Sequence, residues 1–317
     1  MKRLRRHSWA LLALGVFLVS LTSTLMIRPS PPPVVGVVGK VDDSHFSAEI
    51  LSNVSQTPTL DFRTAFEFID TDISARLVLV ADLATLTPLY AKSATVSAEP
   101  ASLSKLVTAM VALKSWPEDR SLIVPANCLG LAGDNMGLIA GEVISLKNLL
   151  YGMLLDSDTD ATCVIYSNVG GIGVFATEMN NYVATLGLTS TRFGNPVGFD
   201  GADGWEGNTN TANDLAVIAR EALKNPILKN IVGTKNITVT SIDGKQAHVL
   251  TNTNELLGSL GVFGLKTGTT NLAGQCLITA VSYNGRDFLL VVLGSSDRYS
   301  DTRKLIQWLQ SAVSWSY

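Results

Sequence analysis

The sequence predicts a mixed α/β domain of the α+β type, an antiparallel sheet flanked by helices with a mainly helical lobe, behind an amino-terminal transmembrane helix. Three observations predict it. Apolar, β-branched runs near residues 75–92 and 263–294 read as sheet-forming segments, and the stretch after Pro100 and the apolar region 149–165 read as helical. Residues 9–27, WALLALGVFLVSLTSTLMI, hold no charged side chain. The 317 residues are enough for one large core. They divide into a basic flank (1–8), a membrane segment (9–27), a linker (28–62) and a folded domain (63–317).

In chain order, Lys2, Arg3, Arg5 and Arg6 precede the apolar run with no acid among them. As a helix the run spans about 28 Å, close to the ~30 Å of a bilayer's hydrocarbon. Basic residues stay on the cytoplasmic side, so everything after Arg28 is expected outside, on a single-pass anchor in the cell membrane. A cleaved signal peptide fits less well, because its apolar region is shorter and Thr22-Ser23-Thr24 is a poor cleavage site. The stretch from Arg28 to about Phe62 opens with Pro29-Ser30-Pro31-Pro32-Pro33 and has no sustained hydrophobic period, so it reads as a flexible spacer.

ARLVLVAD (75–82), Leu86-Thr87-Pro88 and Leu89-Tyr90-Ala91 read as a β-hairpin. After Pro100, Leu103, Leu106, Val107, Met110 and Val111 recur at helical spacing, so a buried helix is expected from Ala101. Near the other end, QCLITAV (275–281) and DFLLVVL (287–293) flank Asn284-Gly285, a hairpin turn signal. Tyr299 to Trp315 reads as an amphipathic helix packed on the sheet.

Composition narrows the chemistry. A net charge of −3 gives no basic excess for nucleic acid. Three histidines and three cysteines without C-x-x-C spacing argue against a His/Cys zinc site, and nothing calls for a cofactor. In the helix, however, Ser102 and Lys105 are i and i+3 and share a face. A serine hydroxyl needs a base to become a nucleophile, and a neutral lysine amine can be that base. The first turn also offers unpaired N–H groups where an oxyanion would form. Alone, Ser-x-x-Lys recurs by chance and describes an N-terminal serine beside a snorkelling lysine. Two further features stand in order behind it. LLYGMLLDSDTDATCVI (149–165) places Ser157 at a break in an apolar helical region, and Lys266-Thr267-Gly268-Thr269 precedes the second hairpin.

This set resembles the penicillin-recognising serine enzymes, with their Ser-x-x-Lys, Ser-x-Asn and Lys-Thr-Gly motifs. Glu99-Pro100-Ala101-Ser102, Met136 to Glu142, Asn195-Pro196-Val197-Gly198, Thr211 to Ala216 and Thr251-Asn252-Thr253-Asn254 are similar to landmarks of the D-alanyl-D-alanine carboxypeptidase family, over about residues 75 to 310. The resemblance implies a β-lactamase/DD-peptidase-like fold and a substrate of peptidoglycan stem peptides ending in D-Ala-D-Ala, with β-lactams as acylating inhibitors. It makes Ser102 the nucleophile, Lys105 its base and Ser157 a proton relay. The N–H groups of Ser102 and Thr269 would form the oxyanion hole, and Lys266, Thr267, Gly268 and Thr269 would receive the substrate carboxylate. The chain departs where the family has Ser-Gly-Asn-Asp-Ala-Ala and it has Ser157-Asp158-Thr159-Asp160-Ala161-Thr162. Thr159, in the substrate-binding asparagine's place, has one hydroxyl donor on a shorter arm. The consequence is retuned activity, or a penicillin- or peptidoglycan-binding protein with little turnover. A β-lactamase is a weaker alternative, because no Glu-x-x-Leu-Asn lies between Ser157 and Lys266.

The remaining candidates read as structural. Cys163 and Cys276 sit in apolar runs and Cys128 in a loop, an odd count that leaves at least one free thiol, with burial expected for the first two. His248 has no triad partner in view and is expected in a strand or hairpin.

Overall fold

The computed structural model describes residues 59–60, 73–201 and 204–314. The predicted basic flank, membrane segment and nearly all of the linker lie outside them. Among the described residues no helix is long and apolar enough to cross a membrane. The exception within the linker range is a short strand, β1 (Thr59–Leu60).

Strands β2 (Leu77–Asp82) and β3 (Pro88–Lys92) form the first predicted hairpin. A turn of 3₁₀ helix (Ala101–Ser104) then leads into α1 (Lys105–Ser115). The expected helix is therefore divided, with Ser102 in the tighter turn and Lys105 opening the α-helix. Residues 105–112 of α1 are all buried, Lys105 and Thr108 among them, which places the helix at the centre of the domain.

Next come β4 (Ser121–Ile123), β5 (Val143–Ser145), α2 (Leu146–Tyr151), α3 (Thr159–Ser167), α4 (Ile172–Thr185), α5 (Ala212–Lys224) and α6 (Pro226–Val232). The lobe is mainly helical as expected, with β4 and β5 as a small antiparallel pair. The chain returns through the hairpin β6 (Asn236–Thr240) and β7 (Ala247–Thr251), which carries His248, to β8 (Val262–Thr270), β9 (Gly274–Tyr283) and β10 (Arg286–Ser295). Asn284 and Gly285 both take positive φ, 49° and 76°, as a two-residue hairpin turn of this kind requires.

The main sheet is antiparallel, in the order β3-β2-β10-β9-β8, so the first strand lies beside the last long one: Val80 pairs with Leu290. Both faces are covered. Leu77, Leu79, Ile278, Leu289 and Val291 face α1 and α5, while Val78, Val80, Leu277, Leu290 and Val292 pack on α7 (Arg298–Ala312) through Leu305, Ile306, Trp308 and Leu309. Burial on both faces is why these strands read as continuous apolar runs instead of alternating ones. Helix α7 is shorter than predicted, because Val313–Ser314 leave it to pair with β1 as β11. Its Asp301 is buried and accepts from Ser74 N and Oγ, Ala75 N and Ser295 Oγ at 2.6–3.1 Å, fastening the helix to the sheet's ends.

Cys163 and Cys276 are buried and one thiol is free, as expected, and the structure adds a pairing that the sequence reading did not name. Cys128 and Cys163 are joined in a disulfide, and Cys276 is the free, buried thiol. The loop carrying Cys128 lies against α3, a proximity no spacing reveals. The bond closes a ring across 35 residues. Changing both cysteines to serine is expected to lower stability by about 3–4 kcal/mol, read by urea unfolding. An unchanged midpoint would remove that role.

Candidate active site

The backbone at Ser102 is shaped by its neighbours. Ala101 takes φ 51°, a left-handed conformation unusual for a residue with a side chain. Behind it stands Gly198, where a Cβ would come within 2.1 Å of the Ala101 carbonyl oxygen, and in front Gly268, where a Cβ would lie 3.0 Å from the Ser102 nitrogen. Only glycine lets β8 and the 194–199 turn close on the nucleophile's backbone. Asn195 holds that turn by accepting from the N–H groups of Val197, Gly198 and Phe199, and Asn208 donates to Ser104 Oγ (2.9 Å), which donates to Ala101 O (2.9 Å).

Lys105 donates from Nζ to Ser102 Oγ at 3.0 Å. It is 1% exposed, and burial pulls it down to about 7 against the opposing charges of Asp158 and Asp134. A large share of this amine is neutral near pH 7, as a base requires. Lys266, at the middle of edge strand β8, is equally buried. Burial, then the charges of Lys105 and Arg298, bring it to about 7 as well, again against Asp158 and Asp134. Its Nζ donates to Thr267 O at 3.1 Å. Thr253 Oγ1 donates to Leu155 O (3.0 Å), so in the 2.6 Å contact between Thr253 and Thr267 it is Thr267 that donates. This chain of hydroxyls ties β8 to the turn that carries Ser157.

That turn is a π-helical stretch, Gly152–Asp156, ending at Ser157 with φ 70°. The break foreseen in the apolar region is this widened turn, which ends at Ser157 before α3 begins; π-turns and left-handed residues of this kind concentrate at working sites. Thr159 is buried at the start of α3, its N–H donating to Asp134 O at 2.7 Å. Among the described residues Lys105 makes its side-chain hydrogen bond to Ser102 and none to Thr159.

Two aspartates flank Thr159 in opposite states. Asp160 accepts from the N–H groups of Met136, Gly137, Leu138 and Ala161 at 2.7–3.1 Å. Asp158 is 1% exposed and neither of its oxygens has a hydrogen-bond partner. Burial, with repulsion from Asp160 and Asp156, raises it to about 8 although Lys105 pulls the other way.

The structure adds a residue that the sequence reading missed. Arg298, the first residue of α7, donates from Nη1 to Gly268 O (2.9 Å) and Cys276 O (3.1 Å), and from Nη2 to Thr269 Oγ1. It brings a third cation to the Lys266–Thr269 strand, beside Thr269, which is exposed. In the sequence it is one arginine just before the amphipathic helix predicted from Tyr299, with no local signal. Among the described residues no group of His, Cys, Asp and Glu is arranged to hold a metal. The geometry unites a hydroxyl, a buried amine bonded to it and a cationic strand edge, with Ser157 on a turn tied to that strand through Thr253 and Thr267, and this set can carry out acyl transfer on a substrate bearing a carboxylate.

The model of the D-alanyl-D-alanine carboxypeptidase family matches residues 64–297. The chain belongs to this family. Among D-alanyl-D-alanine carboxypeptidases it is 32% identical over 223 residues to DacB2 of Mycobacterium tuberculosis, covering 70% of this chain and 75% of the relative. A crystal structure of a D-alanyl-D-alanine carboxypeptidase from the same organism superposes with a TM-score of 0.70 at 30% identity, covering 78% of this chain and 96% of that one. A Streptomyces DD-transpeptidase superposes with a TM-score of 0.68 at 29% identity, over 74% and 97% of the two chains. The predicted α/β DD-peptidase fold is thus observed, and of the landmarks named above Asn195–Gly198 is the one that presses on the backbone beside Ser102.

Proposed function

We propose that this chain is a serine-type D-Ala-D-Ala carboxypeptidase acting on peptidoglycan stem peptides. The observation that carries the reading is the 3.0 Å hydrogen bond from a buried Lys105, held near neutrality, to Ser102 Oγ. Lys105 takes the hydroxyl proton as Oγ attacks the carbonyl of the penultimate D-alanine. The N–H groups of Ser102 and Thr269 receive the oxyanion, each donor contributing about 3–4 kcal/mol. As the tetrahedral centre collapses, the proton passes by way of Ser157 to the leaving nitrogen, and free D-alanine departs. Water then attacks the acyl-enzyme, returning Ser102 and a peptide one residue shorter. Lys266, Thr267, Gly268 and Thr269, joined by Arg298, bind the terminal carboxylate, which confines the enzyme to free carboxyl ends. The same steps with a β-lactam give a persistent acyl adduct on Ser102.

In this reading residues 9–27 anchor the protein in a bacterial cell membrane, with the catalytic domain outside. The basic flank supports that orientation, and the Cys128–Cys163 disulfide suits an oxidising compartment. Burial of Thr159 and its lack of a bond to Lys105 favour one second reading, acylation with little turnover.

Fluorescent penicillin should label the wild type and leave Ser102→Ala unlabelled, and diacetyl-Lys-D-Ala-D-Ala should release D-alanine only with the wild type. A folded protein that takes no label would end the enzyme reading. Labelling without D-alanine release would establish the binding-protein alternative.

A further inference from the structure

His248 closes a hydrogen-bonded chain that the proposed reaction does not use. It is 6% exposed in β7, and both ring nitrogens face oxygens: Nδ1 stands 3.0 Å from the Met136 carbonyl and Nε2 2.8 Å from Glu142 Oε1. A carbonyl oxygen only accepts, so Nδ1 carries a proton. Glu142 Oε2 accepts the Ile139 N–H at 3.1 Å, which leaves Oε1 for the ring, and a carboxylate oxygen only accepts. Both contacts are hydrogen bonds together when the ring is doubly protonated.

The segment held in this way, residues 131–142, lies on the motif that follows Ser157. Its Asp134 carbonyl receives the Thr159 N–H, and its Met136, Gly137 and Leu138 N–H groups bind Asp160. The Asp134 charge acts on both Lys105 and Lys266. Residues 132–135, 137 and 139–141 are exposed, and besides those bonds the segment is held by the pairing of Val124 with Gly141 and Glu142, by buried Leu138 and by the two contacts of His248. With the ring neutral, one of the two contacts loses its proton: Nδ1 is left bare towards the Met136 carbonyl, or Nε2 towards Glu142. The other charged groups close by are already engaged: Asp160 by those N–H groups, and Asp243 with Lys245 at 3.1 Å in the β6–β7 turn.

We propose that His248 is a positioning residue whose doubly protonated ring clasps segment 131–142 to β7, keeping Asp134 and Thr159 in place beside Ser157, and that loss of one ring proton releases one of the clasp's two holds. Its activity readout rests on the acyl-transfer reading above; the clasp itself does not.

In the full chain, nitrogen-15 imidazole spectra should show two exchange-protected ring N–H signals, missing in His248→Gln, at the pH of fastest penicillin acylation. Glu142→Gln separates the clasp from other titrations, because a glutamine amide donates to a neutral Nε2 while its oxygen still accepts from Ile139. Over the pH range in which the wild type goes from two ring N–H signals to one, its acylation rate should fall about tenfold relative to Glu142→Gln. Superimposable pH profiles for the two proteins, or a single ring N–H at the optimum, would overturn the proposal. If the wild type is acylated at no pH, the enzyme reading fails separately and the ring spectra alone decide the clasp: two protected signals uphold it and one refutes it.

Discussion

Lys105→Met is expected to slow penicillin acylation about 10²–10⁴-fold, the range for losing a positioned general base, while making the protein more stable. The two effects share one cause. Lys105 is 1% exposed, and its amine is brought from an ordinary 10.5 to about 7 chiefly by burial. The folded state therefore binds the proton more weakly than the unfolded chain. That penalty is largest below about pH 7, shrinks as pH rises from 7 towards 10.5, and is gone above it. Methionine fills similar space without a charge, so the gain should reach roughly 2–4 kcal/mol at neutral pH and disappear at alkaline pH. Acylation within tenfold of wild type would exclude lysine as the base. A melting temperature lowered at pH 7 would show that packing of the aliphatic stem outweighs the buried amine.

Asp158→Asn is expected to raise stability with the opposite pH dependence. The carboxyl is lifted from 3.8 to about 8, first by burial and then by Asp160 and Asp156, and it has no hydrogen-bond donor to offset that. A folded-state pKa above the unfolded one means that stability is fully present below pH 3.8 and lost as pH climbs through 8. Asparagine, equal in shape and uncharged, should match the wild type near pH 4 and exceed it by roughly 2–4 kcal/mol at pH 8. Thermal melts of both proteins at the two pH values check this; equal differences at both would mean that Asp158 does not titrate as its surroundings dictate. Groups that cost stability inside a cleft of this kind are what functional sites retain.

How far the sequence speaks depends on whether a feature is local. The two hairpins were legible because β-branched runs and Asn284-Gly285 carry their geometry within a few residues. The shared face of Ser102 and Lys105 follows from helical spacing, although the split into a 3₁₀ turn and α1 does not, since it answers to Gly198 and Gly268 pressing on the backbone. Arg298, the Cys128–Cys163 bond and the Glu142–His248 contact each depend on a partner brought in by tertiary folding. Asp158 is the clearest case. As one letter in a polar run it looks solvated, and only the closure of α3, the π-helical turn and segment 131–142 shows it buried without a donor.

The pairing of β2 with β10 also sets the order in which this domain can come into being. Val80 finds Leu290 only after nearly all the intervening chain exists, and Arg298 lies beyond even that strand. Contacts so distant in sequence form slowly, because loop entropy must be overcome before they are rewarded. A nascent chain that already carries Ser102 and Lys105 lacks the sheet edge that would face them, so it has a nucleophile with nowhere to bind a carboxylate. Until the last strands are in place the site is incomplete, so its chemistry can begin only once the whole sheet has formed.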